Sequence, residues 1–154
     1  MENSDNLTLH HATNFDYSQR IIKDGYIIGK PVIVTRGVYK LEAGKPVDLA
    51  QILTNDTLQR ITYLADDPIL ASACSDHGSG VVFEVKIPFA WVKGHILGPG
   101  TYETIDGVEQ ISLESVTKIM SNNPNETKKA LIDSGRLDIM VEEWLLTNLG
   151  SNLL

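Results

Sequence analysis

At 154 residues the chain has the length of one domain, enough to bury about two-thirds of the surface that its extended form exposes. Its apolar and charged fractions, 42% and 21%, are ordinary for a globular protein, and it has no run of about eighteen apolar residues, so no membrane span is expected. The net charge of −7 and the scattered arginines (Arg20, Arg36, Arg60, Arg136) weigh against nucleic acid as a partner, because that affinity comes largely from lysine and arginine neutralising phosphates.

Met1 to Asn6 is polar and acidic, the opposite of a secretory signal, and the single Cys74 cannot close an internal disulfide. A cytoplasmic location is the expectation.

In chain order, a strand over residues 7–11 is predicted to run through Ala12 and Thr13 into a helix at 15–23. Asn14 caps that helix and Gly25 stops it. Short β segments at 26–28 and 32–34 follow, separated by Gly29-Lys30-Pro31. Residues 48–58 carry Leu49, Ile52 and Leu53 at helical spacing. A β-branched, aromatic strand at 61–65 ends at Asp66-Asp67-Pro68, where an aspartate cap and a first-turn proline open a helix to about Ser75.

The clearest strand is 81–87, where Phe83, Val85 and Ile87 alternate with Glu84 and Lys86 and Pro88 closes the run. Glycines and a proline between Trp91 and Gly107 predict an ordered but irregular loop. Strands are predicted at 109–113 and 115–119. Asn123-Pro124-Asn125-Glu126 starts a helix to about Asp133, and a last helix covers 138–149, with Gly150 as its C-cap. The pattern predicts a single α+β domain over 1–154: a split antiparallel β-sheet core with flanking helices (7–119) and a helical C-terminal appendage (120–154).

Three segments carry polar residues suited to a cleft. His11-Ala12-Thr13 ends the first strand; Tyr63 lies in the strand before the helix that holds Ala71 and Ala73; Glu109 opens a late strand behind a glycine-rich loop. In this order they resemble the ADP-ribosyltransferase superfamily of the histidine–tyrosine–glutamate type. The stretch from the first helix into Asp24-Gly25-Tyr26-Ile27 is similar to the start of DarT-like enzymes. The resemblance covers residues 7–119 and implies an ADP-ribosyltransferase-like sheet, with NAD as substrate.

It further implies that His11 bonds a ribose hydroxyl, with Ala12 and Thr13 beside it, and that Tyr63 stacks on the nicotinamide ring. Glu109 would bond the 2′-hydroxyl of the nicotinamide ribose and stabilise the positive charge that grows on the sugar carbon as nicotinamide leaves. Arg36 could reach the pyrophosphate as a bidentate donor.

Each residue also has a plainer reading. His11 caps a strand, Tyr63 is a half-buried strand aromatic, Thr13 contacts the helix start, and Arg36 is a surface cation. Glu103 and Glu114 compete with Glu109 for the role of the late carboxylate. His10 faces the other side of the strand from His11, so one histidine of the pair serves a cleft.

Other chemistries find less in the sequence. One cysteine and four histidines (His10, His11, His77, His95) lack metal-ligand spacing. No phosphate loop, dinucleotide glycine fingerprint or nucleophile elbow occurs. A tRNA 2′-phosphotransferase is also similar to this pattern but needs more arginines than the chain carries. The expected function is a mono-ADP-ribosyltransferase acting on an intracellular protein, as a toxin or a phage counter-defence (anti-CRISPR-like) effector. The alternatives are a non-catalytic acidic inhibitor that occupies a basic groove and a DarT-like enzyme acting on nucleic acid. Oligomeric state is left open.

Overall fold

Alternation of apolar and polar residues builds the sheet around its longest strands. The computed structural model describes residues 6–28, 30–31, 60–73, 80–94, 98–105 and 107–144. The segments expected at 32–34 and 48–58, with Arg36, Cys74, His77 and His95, lie outside those residues.

Strand β1 (Asn6–Thr13) pairs antiparallel with β6 (Val81–Pro88) in unbroken register from Asn6↔Pro88 to Thr13↔Val81. Around this pair stand β5 (Tyr63–Ala65), β7 (Val92–Gly94), β8 (Thr101–Thr104), β10 (Val116–Ser121) and β11 (Met140–Glu143). The seven-stranded order is β11-β10-β6-β1-β5-β8-β7, antiparallel throughout except for the parallel pair β10–β11. Two short ladders accompany it: β2 (Tyr26–Ile28) with β9 (Gln110–Ser112), and β3 (Lys30–Pro31) with β4 (Arg60–Ile61).

Register parity sorts the side chains. One face carries Leu9, Leu64, Val81, Phe83, Val85, Ile87 and Ile119. It packs under Ile21 and Ile22 of α1 (Phe15–Asp24) and Leu131 of α3 (Pro124–Asp133), with Ile27, Ile111 and Leu113 closing the larger core. The other face carries Ala12, Ala65, Val82 and Met120 under Leu70 and Ala71 of α2 (Pro68–Ala73), with Trp144 alongside. Its alanines let the short helix lie close to the sheet.

The helix ends follow their sequence signals. Asn14 Oδ1 accepts from the Tyr17 N–H at 2.7 Å, and Gly25 takes the left-handed conformation (φ 92°) that stops α1. Asp67 Oδ1 accepts from Ile69 and Leu70 at 2.7 and 3.1 Å, and Asn123 caps α3 ahead of Pro124.

Two expectations are corrected. The stretch from Trp91 to Gly107 is not simply irregular: β7 and β8 pair within it as Val92↔Thr104, Lys93↔Glu103 and Gly94↔Tyr102. The glycines occupy turns there (Gly98 φ 120°, Gly100 φ 84°), while Thr101-Tyr102-Glu103-Thr104 is β-branched and aromatic enough to pair.

The helix expected at 138–149, the basis of the helical C-terminal appendage, is a turn followed by a β-strand in its described part. Met140–Glu143 pairs with Lys118 to Ser121 and joins the main sheet. Ile139 and Val141 face the core while Met140 and Glu142 leave on the other side. The same apolar residues fit a helical spacing, and the pairing with β10 selects the two-residue alternation instead. Among the described residues no helix is long and apolar enough to cross a membrane.

Candidate functional site

The central position of β1 sets up the site. It pairs with β6 over its whole length but with β5 at His10↔Ala65. Next to that pair the His11 ring, rather than the backbone ladder, bridges the strands, its Nδ1 lying 2.9 Å from the Tyr63 carbonyl oxygen. A carbonyl can only accept, so Nδ1 carries the proton and in the neutral ring Nε2 is the acceptor. His11 is half-buried there.

His10 turns to the opposite face, as expected from strand alternation, and is buried. Its Nδ1 is 3.3 Å from the Ala65 carbonyl and its Nε2 is 3.5 Å from Glu84 Oε2. Glu84 also accepts from the Thr117 hydroxyl at 2.9 Å and stands 3.7 Å from Lys118 Nζ, which lies 3.5 Å from Glu142. This polar row crosses β1, β6, β10 and β11 and ties their register together.

Tyr63 and Glu103 are direct cross-strand partners, so their side chains leave the sheet on one face, with Lys93 next in the same row. Glu103 is 2% exposed, a burial that a carboxylate tolerates only with polar partners. Thr62 interrupts the edge between β4 and β5. Its N–H donates to Thr104 Oγ1 at 2.9 Å, and its own buried hydroxyl has no hydrogen-bond partner among the described residues.

Ala12 packs in the small apolar cluster under α2, and Thr13 is buried at the end of β1 opposite Val81. Glu109 is exposed, immediately before β9, and makes no hydrogen bond or ion pair among the described residues. Its strand lies on β2, not in the main sheet, with Ile28↔Gln110 in register and the Leu113 N–H donating to the Gly25 carbonyl at 3.0 Å. Glu114 is exposed in the turn after β9, its N–H bonded to Ser112 Oγ.

The structure therefore joins His11 to the backbone of Tyr63, and sets Glu103 opposite Tyr63. It does not bring Glu109 or Glu114 into contact with either. By parity, His11 and Tyr63 direct their side chains to opposite faces. Sequence reading missed Thr62 and Lys93; the β-branched pair Thr62 and Thr104, each next to an aromatic or acidic residue, was the available signal.

A groove of 270 Å³ lies elsewhere, lined by Lys128, Leu131, Ile132, Arg136, Leu137, Ile139 and Val141. It borders β11, four strand spacings or about 19 Å from β5, and contains none of these polar residues. Set against known proteins, the chain matches no family model and no curated protein.

Proposed function

We propose that this chain is an NAD-dependent mono-ADP-ribosyltransferase whose target is an intracellular protein. The observation that carries this reading is the contact between the His11 ring and the Tyr63 backbone, made across 52 positions of sequence. These are the first two residues of the histidine–tyrosine–glutamate pattern, joined through the Tyr63 backbone where β1 and β5 part, with the Tyr63 side chain on the opposite face from the His11 ring. The donor and acceptor chemistry suits a ribose: His11 Nε2 accepts from a hydroxyl, Glu109 accepts from two, and the buried Thr62 hydroxyl has no protein partner among the described residues.

In this reading the bond between the nicotinamide nitrogen and the ribose carbon breaks, and its electron pair leaves with nicotinamide. The Glu109 carboxylate holds the 2′-hydroxyl and stabilises the positive charge left on the sugar. It also takes a proton from the incoming nucleophile as the new bond forms. Tyr63 supplies an aromatic surface for the nicotinamide ring. The net charge of −7 supports a protein target over nucleic acid.

The test is incubation with NAD and cell lysate, following nicotinamide release and the mass gain of one ADP-ribose on protein. Glu109→Gln is expected to lose both signals by about a hundredfold or more while still binding NAD. Wild-type turnover in Glu109→Gln together with its loss in Glu103→Gln moves the carboxylate role to Glu103. Nicotinamide release with no protein product identifies a glycohydrolase instead. Neither signal leaves the acidic binding module, acting by occupancy of a basic groove, as the function.

A further inference from the structure

Among the described residues no strand covers the outer edge of β11. The Trp144 N–H donates to the Ser121 carbonyl, so the backbone groups of residues 140, 142 and 144 turn toward β10. Those of Val141 and Glu143 turn outward, and among the described residues no strand pairs with them. Glu142 and Glu143 are the charged residues of β11, no proline occurs in it, and no bulge interrupts its pairing with β10.

Beside this edge lies the apolar groove between α3 and β11. Leu137 and Ile132, at 77% and 61% exposure, form its apolar rim. Arg136 and Lys128 line the groove too, so its wall carries positive charge beside the apolar side chains.

We propose that the chain forms a two-fold dimer in which β11 pairs antiparallel with β11 of a second copy, centred on Val141. A two-fold axis perpendicular to the sheet keeps each face on its own side, so residues of one face must oppose each other. Centring on Val141 meets that condition and makes Val141 a mutually hydrogen-bonded pair, using the outward N–H and C=O on both chains. Met140 then opposes Glu142 of the second copy. Glu143 of the second copy opposes Ile139, which brings its carboxylate to the groove mouth lined by Arg136 and Lys128. A centre at Glu142 sets two like charges face to face, which disfavours that register. The self-complementary arrangement of the Glu143 acid, the open strand edge and the groove cations Lys128 and Arg136 favours a second copy over an unrelated partner.

Sedimentation across a concentration series of the full chain tests this, with circular dichroism as the folding control. The wild type is expected to shift from monomer to dimer as concentration rises, with the Val141 and Glu143 amides gaining hydrogen-exchange protection in step. Arg136→Glu and Glu143→Arg should each weaken association by about tenfold, and combining them should restore it. Leu137→Asp, at a highly exposed position, should weaken association without altering the monomer. A wild type that stays monomeric overturns the proposal. So does a dimer that remains indifferent to the charge reversals.

Discussion

At the scale of single residues, Gly25 shows how local conformation and packing converge. Its φ of 92° is the left-handed region, and its carbonyl accepts from Leu113, tying the end of α1 to the exit of β9. A Cβ there would lie 2.8 Å from Arg136 Nη2. Gly25→Ala is expected to lower stability by about 1–2 kcal/mol, read as a shift in the urea midpoint with unchanged slope. The stop at Gly25 was legible from sequence because glycine alone enters that conformation without strain. Arg136 above it was not legible, since that approach links segments more than a hundred positions apart.

At the scale of elements, the strands are held by burial more than by charge. Phe83 is fully buried at the centre of the larger core, whereas Lys118 and Glu84 are a quarter and a fifth exposed at their side chains. Phe83→Ala is expected to cost about 3–5 kcal/mol, and Lys118→Met less than about 1 kcal/mol, both measured by urea unfolding. A lysine variant as damaging as the phenylalanine one would make the polar row, and not the core, the main support of the sheet.

The same balance explains which elements were readable. β6 and α1 carry single strong periods with caps or breakers. β11 and the β7–β8 pair are short, and their partners in the sheet decide their conformation. The site divides similarly: the end of β1 and Tyr63 were identifiable from their neighbours. The burial of Glu103, and its place opposite Tyr63, depends on a register between strands that no local pattern contains.

At the scale of the whole molecule, the charge of −7 spreads mutual repulsion over the folded surface. Raising ionic strength from about 0.01 M to about 0.15 M shortens the screening length from about 30 Å to about 8 Å. The melting temperature is therefore expected to rise with salt, measured by scanning calorimetry at a concentration that keeps the chain monomeric. A fall over that range would mean that attractive charge pairs, such as the row from His10 to Glu142, outweigh the repulsion.

By itself the sequence determined the α+β class, the caps at Asn14, Asp67 and Asn123, the buried face of β6 and the candidacy of His11, Tyr63 and Glu109. All of these rest on periodicity, turn chemistry or residue type within a few positions. Tertiary structure alone decided that residues after Ile139 extend the sheet and that His11 bridges β1 to β5. It also decided that Glu103 is the buried carboxylate opposite Tyr63, while Glu109 stands exposed at the start of β9. Those outcomes depend on pairing between distant strands, where hydrogen bonds and burial outweigh local preference.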